Sequence, residues 1–268
     1  MKKDISILVV NPAGNITIFV LDKFERSQYQ NIATQLLAHK EFNAEQVAFI
    51  LDESTMEMCG LEFCGNASRA FALMSAKIKG MEGTGSAVVN VSGVDHPLSV
   101  EINTETNYTK VKMPMPISVT TLSDTGIPLV ENSMLVDFGG IVHLVLFDQQ
   151  ASMENFNKAK EFADSIAPAP ATGVMFYDTV TGFLTPVVYV KDVDSTYFEG
   201  SCGSGSTAVA VAKYLDLPAG TSCERSFEFH QPAGSITTTI SVDSGQLDAI
   251  YIEGPIEFGQ VTTVEIEV

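Results

Sequence analysis

Apolar runs and polar breaks follow one another along this chain in an order that occurs twice. Asp4–Leu21 holds two apolar runs around Asn11-Pro12-Ala13-Gly14-Asn15, which predicts strand, turn and strand. Met134–Phe147 repeats the pattern with Gly139-Gly140 at the break. Stretches of helical period come next, Glu25–His39 and Met153–Ile166, followed by short strands at Gln46–Leu51 and Gly173–Tyr177. In each half a cysteine then precedes a small-residue segment that reads as the opening turns of a helix. These helices meet stop residues at Gly80 and Pro218. Paired strands, Ala87–Glu101 and Ser226–Ile240, and proline-terminated segments, Val111–Pro114 and Tyr251–Pro255, complete the two halves.

Short strands outnumber helices. The pattern therefore predicts an α+β protein of two pseudo-symmetric lobes, each a bent, mostly antiparallel sheet wrapped around a central helix. The lobes are expected at residues 1–118 and 119–255, with the boundary in the Pro-, Thr-, Ser- and Gly-rich stretch Ile117–Leu129. Segment 256–268 is expected to pack back on the first lobe.

Composition narrows the function classes. With 268 residues and 45% hydrophobic content the chain has enough apolar material for two cores. No apolar run approaches the roughly 18 to 20 residues of a membrane span. The opening Met1-Lys2-Lys3-Asp4-Ile5-Ser6 lacks the apolar stretch of a signal peptide, so a cytoplasmic protein is expected. A net charge of −18 argues against nucleic acid, whose phosphates need clustered Lys and Arg. It fits a soluble acidic surface and a neutral or cationic small-molecule substrate. The cysteines at 59, 64, 202 and 223 form no CxxC pair and no zinc-type cluster, so neither a metal site nor a disulfide is expected. Cys59 and Cys223 lack the context of the other two and read as ordinary buried or half-buried thiols.

The other two carry the chemistry. Cys64-Gly65-Asn66-Ala67-Ser68-Arg69-Ala70-Phe71-Ala72 returns 138 positions later as Cys202-Gly203-Ser204-Gly205-Ser206-Thr207-Ala208-Val209-Ala210, with five of nine positions identical. A helix N-terminus lowers a thiol's pKa and attracts carboxylates through its unpaired N–H groups. Duplication thus predicts one activated sulfur on each side of a small anion. One thiolate removes the α-proton of a bound amino acid and the opposite thiol protonates the other face, inverting the centre. Backbone N–H groups at the helix ends stabilise the carbanion charge spread into the carboxylate. Pyridoxal phosphate has no part in this scheme, and no cofactor is expected.

These residues also carry a family resemblance. Glu62-Phe63-Cys64-Gly65-Asn66-Ala67 and Ser201-Cys202-Gly203-Ser204-Gly205 resemble the two active-site motifs of diaminopimelate epimerases. Asn11–Asn15, Glu45-Gln46, Phe138–His143 and Gly254–Phe258 are similar to further motifs of that superfamily, so the likeness spans the chain. Within it, Glu45–Ile50, Glu62–Asn66, Glu199–Gly205, His230–Ile236 and Gln260–Val264 most resemble cofactor-independent histidine racemases. Gly200 replaces the Asn of their pattern before Ser201.

The resemblance implies an active site in the interlobe cleft, closure around the substrate and a homodimer. It implies Cys64 and Cys202 as the two bases, with His143 beside Cys64 and Glu199 near Cys202. Asn15, Gln46 and Asn66 would contact substrate, and the backbone of Gly65, Asn66, Gly203 and Ser204 would hold its carboxylate. His230, in a His-Gln-Pro sequence, fits a structural or rim role as well as a substrate contact.

Diaminopimelate has a distal carboxylate that needs a cation, supplied in the epimerases by a Glu-Arg pair shortly before the second cysteine. The stretch Lys191–Glu199 holds no arginine, and a lysine does not reproduce the bidentate fork. A neutral or cationic side chain such as histidine is favoured. Diaminopimelate epimerase, another two-cysteine racemase, and a thiol-redox or binding protein on this fold stand as alternatives.

Overall fold

The computed structural model describes residues 2–191, 194–215, 217–218 and 220–267. In chain order the first elements are β1 (Lys2–Asn11), β2 (Thr17–Val20), α1 (Tyr29–Ala38), β3 (Gln46–Asp52), β4 (Thr55–Met58), α2 (Gly65–Ile78), β5 (Thr84–Val91), β6 (Leu98–Asn103) and β7 (Tyr108–Lys112). Then come β8 (Ser118–Leu122), β9 (Ser133–Asp137), β10 (Ile141–Phe147), α3 (Met153–Ile166), β11 (Ala171–Tyr177), β12 (Leu184–Val190), β13 (Ser195–Phe198) and α4 (Gly203–Tyr214). The last four are β14 (Cys223–Gln231), β15 (Gly234–Asp243), β16 (Gln246–Pro255) and β17 (Glu257–Glu267). Strands and few helices make a mixed α and β fold. Among the described residues no helix is long and apolar enough to cross a membrane.

The chain divides into two compact units, Met1–Lys112 with Glu253–Val268, and Met113–Ile252. In the first, the strands run β7-β6-β5-β4-β3-β2-β1-β17. Strand β2 pairs with β1 antiparallel and with β3 in parallel, and α1 makes the crossover that a parallel pair requires. In the second unit the order β13-β12-β11-β10-β9-β8 repeats the device: β10 is antiparallel to β9 and parallel to β11, with α3 between. The repeat legible in the sequence is thus a repeat of strand pairing.

Each crossover helix has an apolar stripe. Tyr29, Ile32 and Leu36 of α1 bury against Ile5, Ile18 and Val47, while Phe156, Ala159 and Ala163 of α3 bury against Leu144 and Val174. Tyr29 also stacks on Phe49 at 3.7 Å between ring centroids and donates its hydroxyl to the buried Glu57 at 3.1 Å. Arg26 closes this corner, Nε donating to Glu57 Oε2 at 3.0 Å. The ion pair holds the Glu57 carboxyl below its ordinary pKa.

The cysteine helices differ from these. Helix α2 is buried on all sides from Gly65 to Ala76, against β5, β6 and β7. Helix α4 packs on β15, β9, β10 and β11. Small residues around both allow sheet backbone to approach closely.

Several boundaries differ from the sequence pattern. The first helix is split, because Glu25 caps a 3-10 turn at Arg26–Gln28 and donates its N–H to Gln28 Oε1 at 3.1 Å before α1 begins. The cysteine helices end at Ile78 and Tyr214, short of Gly80 and Pro218. The stretch Ile117–Leu129 is not a plain connector: Ser118–Leu122 form β8, antiparallel to β9. Its counterpart in the first unit is β17, antiparallel to β1.

Candidate active site

Cys64 is the N-cap of α2, with extended backbone at φ −126° and ψ 110°. Its sulfur accepts Ala67 N–H at 3.4 Å, and Gln46 Nε2 from β3 donates at 3.3 Å. Gln46 Nε2 also reaches Asn15 Oδ1 at 2.6 Å and Thr17 Oγ1 at 2.9 Å. Asn15, at the end of the turn between β1 and β2, donates its amide to Glu45 Oε2 at 2.8 Å and accepts from Asn66 at 3.5 Å. The segment before Cys64 is held by Ser92, whose hydroxyl donates to Glu62 O at 2.8 Å.

Among the candidates in this unit, the structure brings Asn15, Gln46, Cys64, Gly65 and Asn66 together. Thr17, Glu45 and Arg69 complete the cluster; Thr17 and Arg69 were given no role from the sequence, and Glu45 only a place in the Glu45-Gln46 motif. Arg69 is fully buried, donating Nε to Asn66 Oδ1 at 3.2 Å and Nη1 to Gly254 O at 2.8 Å. The signal for it was present, since a lone arginine in Ala67–Ala76, a run dominated by small and apolar residues, is an inward-facing charge.

Cys202 caps α4 with nearly the same backbone, φ −128° and ψ 114°, and its sulfur accepts Gly205 N–H at 3.3 Å. It is buried, with its own N–H donated to Gln231 Oε1 at 2.8 Å. Gln231 Nε2 continues to Ser206 Oγ at 3.0 Å, and Ser206 donates to Cys202 O at 2.7 Å. Gln231 and Ser206 thus fix the cap, and neither was singled out from the sequence. Burial pushes the Cys202 thiol well above its ordinary pKa, and the charge of Glu199 and its hydrogen bond to the sulfur push the same way. Cys202 therefore keeps its proton.

His143, wholly buried on β10, is hydrogen-bonded through Nε2 to Ser204 Oγ at 2.9 Å, and Ser204 Oγ lies 3.5 Å from Cys202 Sγ. The structure thus joins His143 to Cys202 within one unit through the hydroxyl of Ser204. Its Nδ1 has no hydrogen-bond partner and faces Gly173 of β11, where a side chain has no room. Burial drives the imidazole pKa down to about 3, so the ring is neutral and a poor proton acceptor. The second site therefore gathers His143, Glu199, Cys202, Gly203 and Ser204.

Cys59 and Cys223 are free and half-buried, and burial raises the Cys59 thiol to about 11. His230 is exposed and bonded to Ser235 Oγ at 2.9 Å. Among the described residues no three His, Cys, Asp or Glu side chains gather as metal ligands. Asp192 and Val193 of the arginine-free stretch before Cys202 lie outside the described residues.

The chain resembles known proteins over almost its whole length. A protein named histidine racemase from Fusobacterium nucleatum subsp. nucleatum is 32% identical over 265 residues, covering 94% of each chain. Another of that name from Staphylococcus aureus is 30% identical over 275 residues, 95% of this chain and 93% of the other. The solved structure of a Bacillus anthracis phenazine biosynthesis protein of the PhzF family superposes with a TM-score of 0.68 at 15% identity, covering 99% of this chain and 100% of that one; the two share a fold. The family described as "Histidine racemase CntK N-terminal domain" matches residues 4–263, and the chain belongs to it.

Proposed function

We propose that this protein is an isomerase that interconverts L- and D-histidine by a two-base reaction at Cys64 and Cys202, without pyridoxal phosphate or metal. The observation that carries the chemistry is the matched pair of cysteine N-caps, two sulfurs in one backbone conformation at the heads of two buried helices. The relatives named histidine racemase carry the choice of substrate, and the absence of arginine from Lys191 to Glu199 agrees with it.

The two sulfurs have different resting states. Cys64 receives N–H donors from Gln46 and Ala67, which favour a thiolate. Asn15 Oδ1, 3.9 Å from the sulfur, is already engaged by Gln46 and Asn66. Cys202, beside Glu199, is the thiol. In one direction Cys64 takes the α-proton, and the C–H electron pair moves into the carboxylate as an enediolate. Cys202 gives its proton to the opposite face, leaving Cys64 as thiol and Cys202 as thiolate. The helix-end N–H groups of Gly65, Asn66, Gly203 and Ser204 stabilise the carboxylate charge, each such donor being worth about 3 kcal/mol. Exchange with water then resets the pair: Cys64 loses its proton and Cys202 regains one, relayed by Glu199. The scheme requires the sulfurs on opposite faces of one substrate, and so a cleft between two lobes that closes over it. A cytoplasmic homodimer completes the reading.

The test is incubation with L-histidine and, separately, diaminopimelate in D2O with a chelator and no pyridoxal phosphate. Deuterium at Cα of histidine with decay of optical activity is expected. Exchange into diaminopimelate alone, or into neither, refutes the assignment.

A further inference from the structure

Arg69 lies on the second turn of α2, and none of its surface reaches solvent. Nη1 donates to Gly254 O at 2.8 Å and approaches Thr109 Oγ1 at 3.4 Å, while Nε donates to Asn66 Oδ1 at 3.2 Å. Nη2 is buried without a hydrogen-bond partner. Among the described residues no carboxylate forms a salt bridge with this guanidinium. A buried cation without a counter-charge is among the costliest arrangements a protein can hold.

The strands packed on α2 turn mainly uncharged side chains towards it. Strands β5 and β6 turn Val89, Val91, Val100 and Ile102 inward, and β7 turns Thr109 and Val111. Tyr108 donates its hydroxyl to Glu253 at 3.3 Å and Asn15 donates to Glu45 at 2.8 Å; among the described residues neither carboxylate forms a salt bridge with Arg69. The sulfur at the head of the same helix is the anion that the polar contacts of Arg69 reach. Polar contacts lead to it: Arg69 to Asn66, Asn66 to Asn15, and Gln46 from Asn15 to Cys64 Sγ. Burial lowers the Arg69 pKa to about 10, with the Cys64 charge acting to raise it. The cation persists at neutral pH.

We propose that Arg69 is a positioning residue that keeps Cys64 ionised before substrate arrives, as its buried counter-charge and as the anchor of the Asn66–Asn15–Gln46 contacts. This rests on the assignment of Cys64 as the resting thiolate. The reciprocal gain is that the thiolate offsets the burial of the guanidinium.

The test needs no substrate. In a chain whose Cys59, Cys202 and Cys223 are changed to Ser, the rate of iodoacetamide alkylation against pH reads the ionisation of Cys64. Its midpoint is expected at least about one unit below an ordinary thiol near 8.5. Arg69→Met and Arg69→Gln should raise it by a unit or more, an approximately tenfold slower alkylation at pH 7 in the reagent-limited regime. Arg69→Lys should keep most of the depression, because it keeps the charge. A folded neutral variant with the parent's midpoint overturns the proposal, and so does a parent midpoint at the ordinary value. Should neither neutral variant fold, Arg69→Lys decides: a depressed midpoint supports the proposal and an ordinary one overturns it. Failure of the histidine reading is seen separately, as a protein with a depressed Cys64 midpoint and no α-deuteration of histidine.

Discussion

Cys64 and Cys202 share a backbone and an N–H donor three residues on but differ in the side chains around the sulfur, and this difference sets what each residue change will do. Cys64→Ala and Cys202→Ala are each expected to lower racemisation by about 10³-fold or more, read by circular dichroism of histidine, since each sulfur serves one face of the substrate. An active single mutant overturns the two-base scheme. His143 makes a prediction of another kind. Its folded pKa of about 3 lies below the unfolded value near 6.5, so between those limits only the unfolded chain binds the proton. Stability contributed by the neutral ring is therefore present above about pH 6.5 and is lost on acidification, by up to about 1.4 kcal/mol per pH unit from this group. Urea unfolding between pH 7 and pH 5 should show that slope, and His143→Gln should flatten it; an unchanged slope rejects the burial argument. Motifs made Cys64, Asn15 and Gln46 legible, because they sit in short segments joined by local turns. The roles of Arg69, Gln231 and Ser206 were not, since what sets them is a partner far away in sequence, Gly254 for Arg69 and Gln231 for Ser206; of the three only Arg69 left a sequence signal, as an inward-facing charge.

At the level of elements, placement of Cys64 depends on a turn with no chemistry of its own. Gly93 stands in the left-handed region at φ 78°, and a side chain there would lie 2.7 Å from Phe63 Cα, against the peptide that leads into Cys64. Gly93→Ala should destabilise the protein by about 1 kcal/mol for the backbone conformation alone, and more for the collision. Because relief of the collision moves Phe63, activity should fall further than stability explains. Thermal unfolding and turnover of the same sample check this, and retention of the parent's kcat in a destabilised protein contradicts it. Helices α1 and α3 were legible because each has a 3.6-residue stripe against one sheet face. Strands β4, β8, β12, β13 and β17 escaped the pattern. Strand β17 shows why: only Val264 and Ile266 of its eleven residues are buried, so its alternation is too sparse to register.

Over the whole molecule the duplication is one of topology, and it explains the two places where sequence periodicity stopped short. Each unit needs a further antiparallel strand on the outer side of its first one. The second unit takes β8, immediately preceding β9, from the Pro- and Thr-containing stretch that reads as a connector. The first unit takes β17 from the far end of the chain, pairing Lys2 with Glu267 through to Asn11 with Glu257. The first unit is therefore discontinuous, and its core includes Val264 and Ile266 beside Ile5 and Ile7. A chain ending at Ile252 leaves β1 as an unpaired edge, exposes that apolar face and removes the Gly254 carbonyl that receives Arg69. Loss of two buried branched side chains alone is worth about 3 to 6 kcal/mol, comparable to the whole stability of many domains. The truncated protein should lose hydrogen-exchange protection across β1–β3 and α1, while β10, β11 and α3 of the second unit, whose strand pairs are intact, keep theirs. Uniform loss in both units would mean that they fold as one cooperative body, and unchanged protection in the first would mean that β17 is dispensable to it.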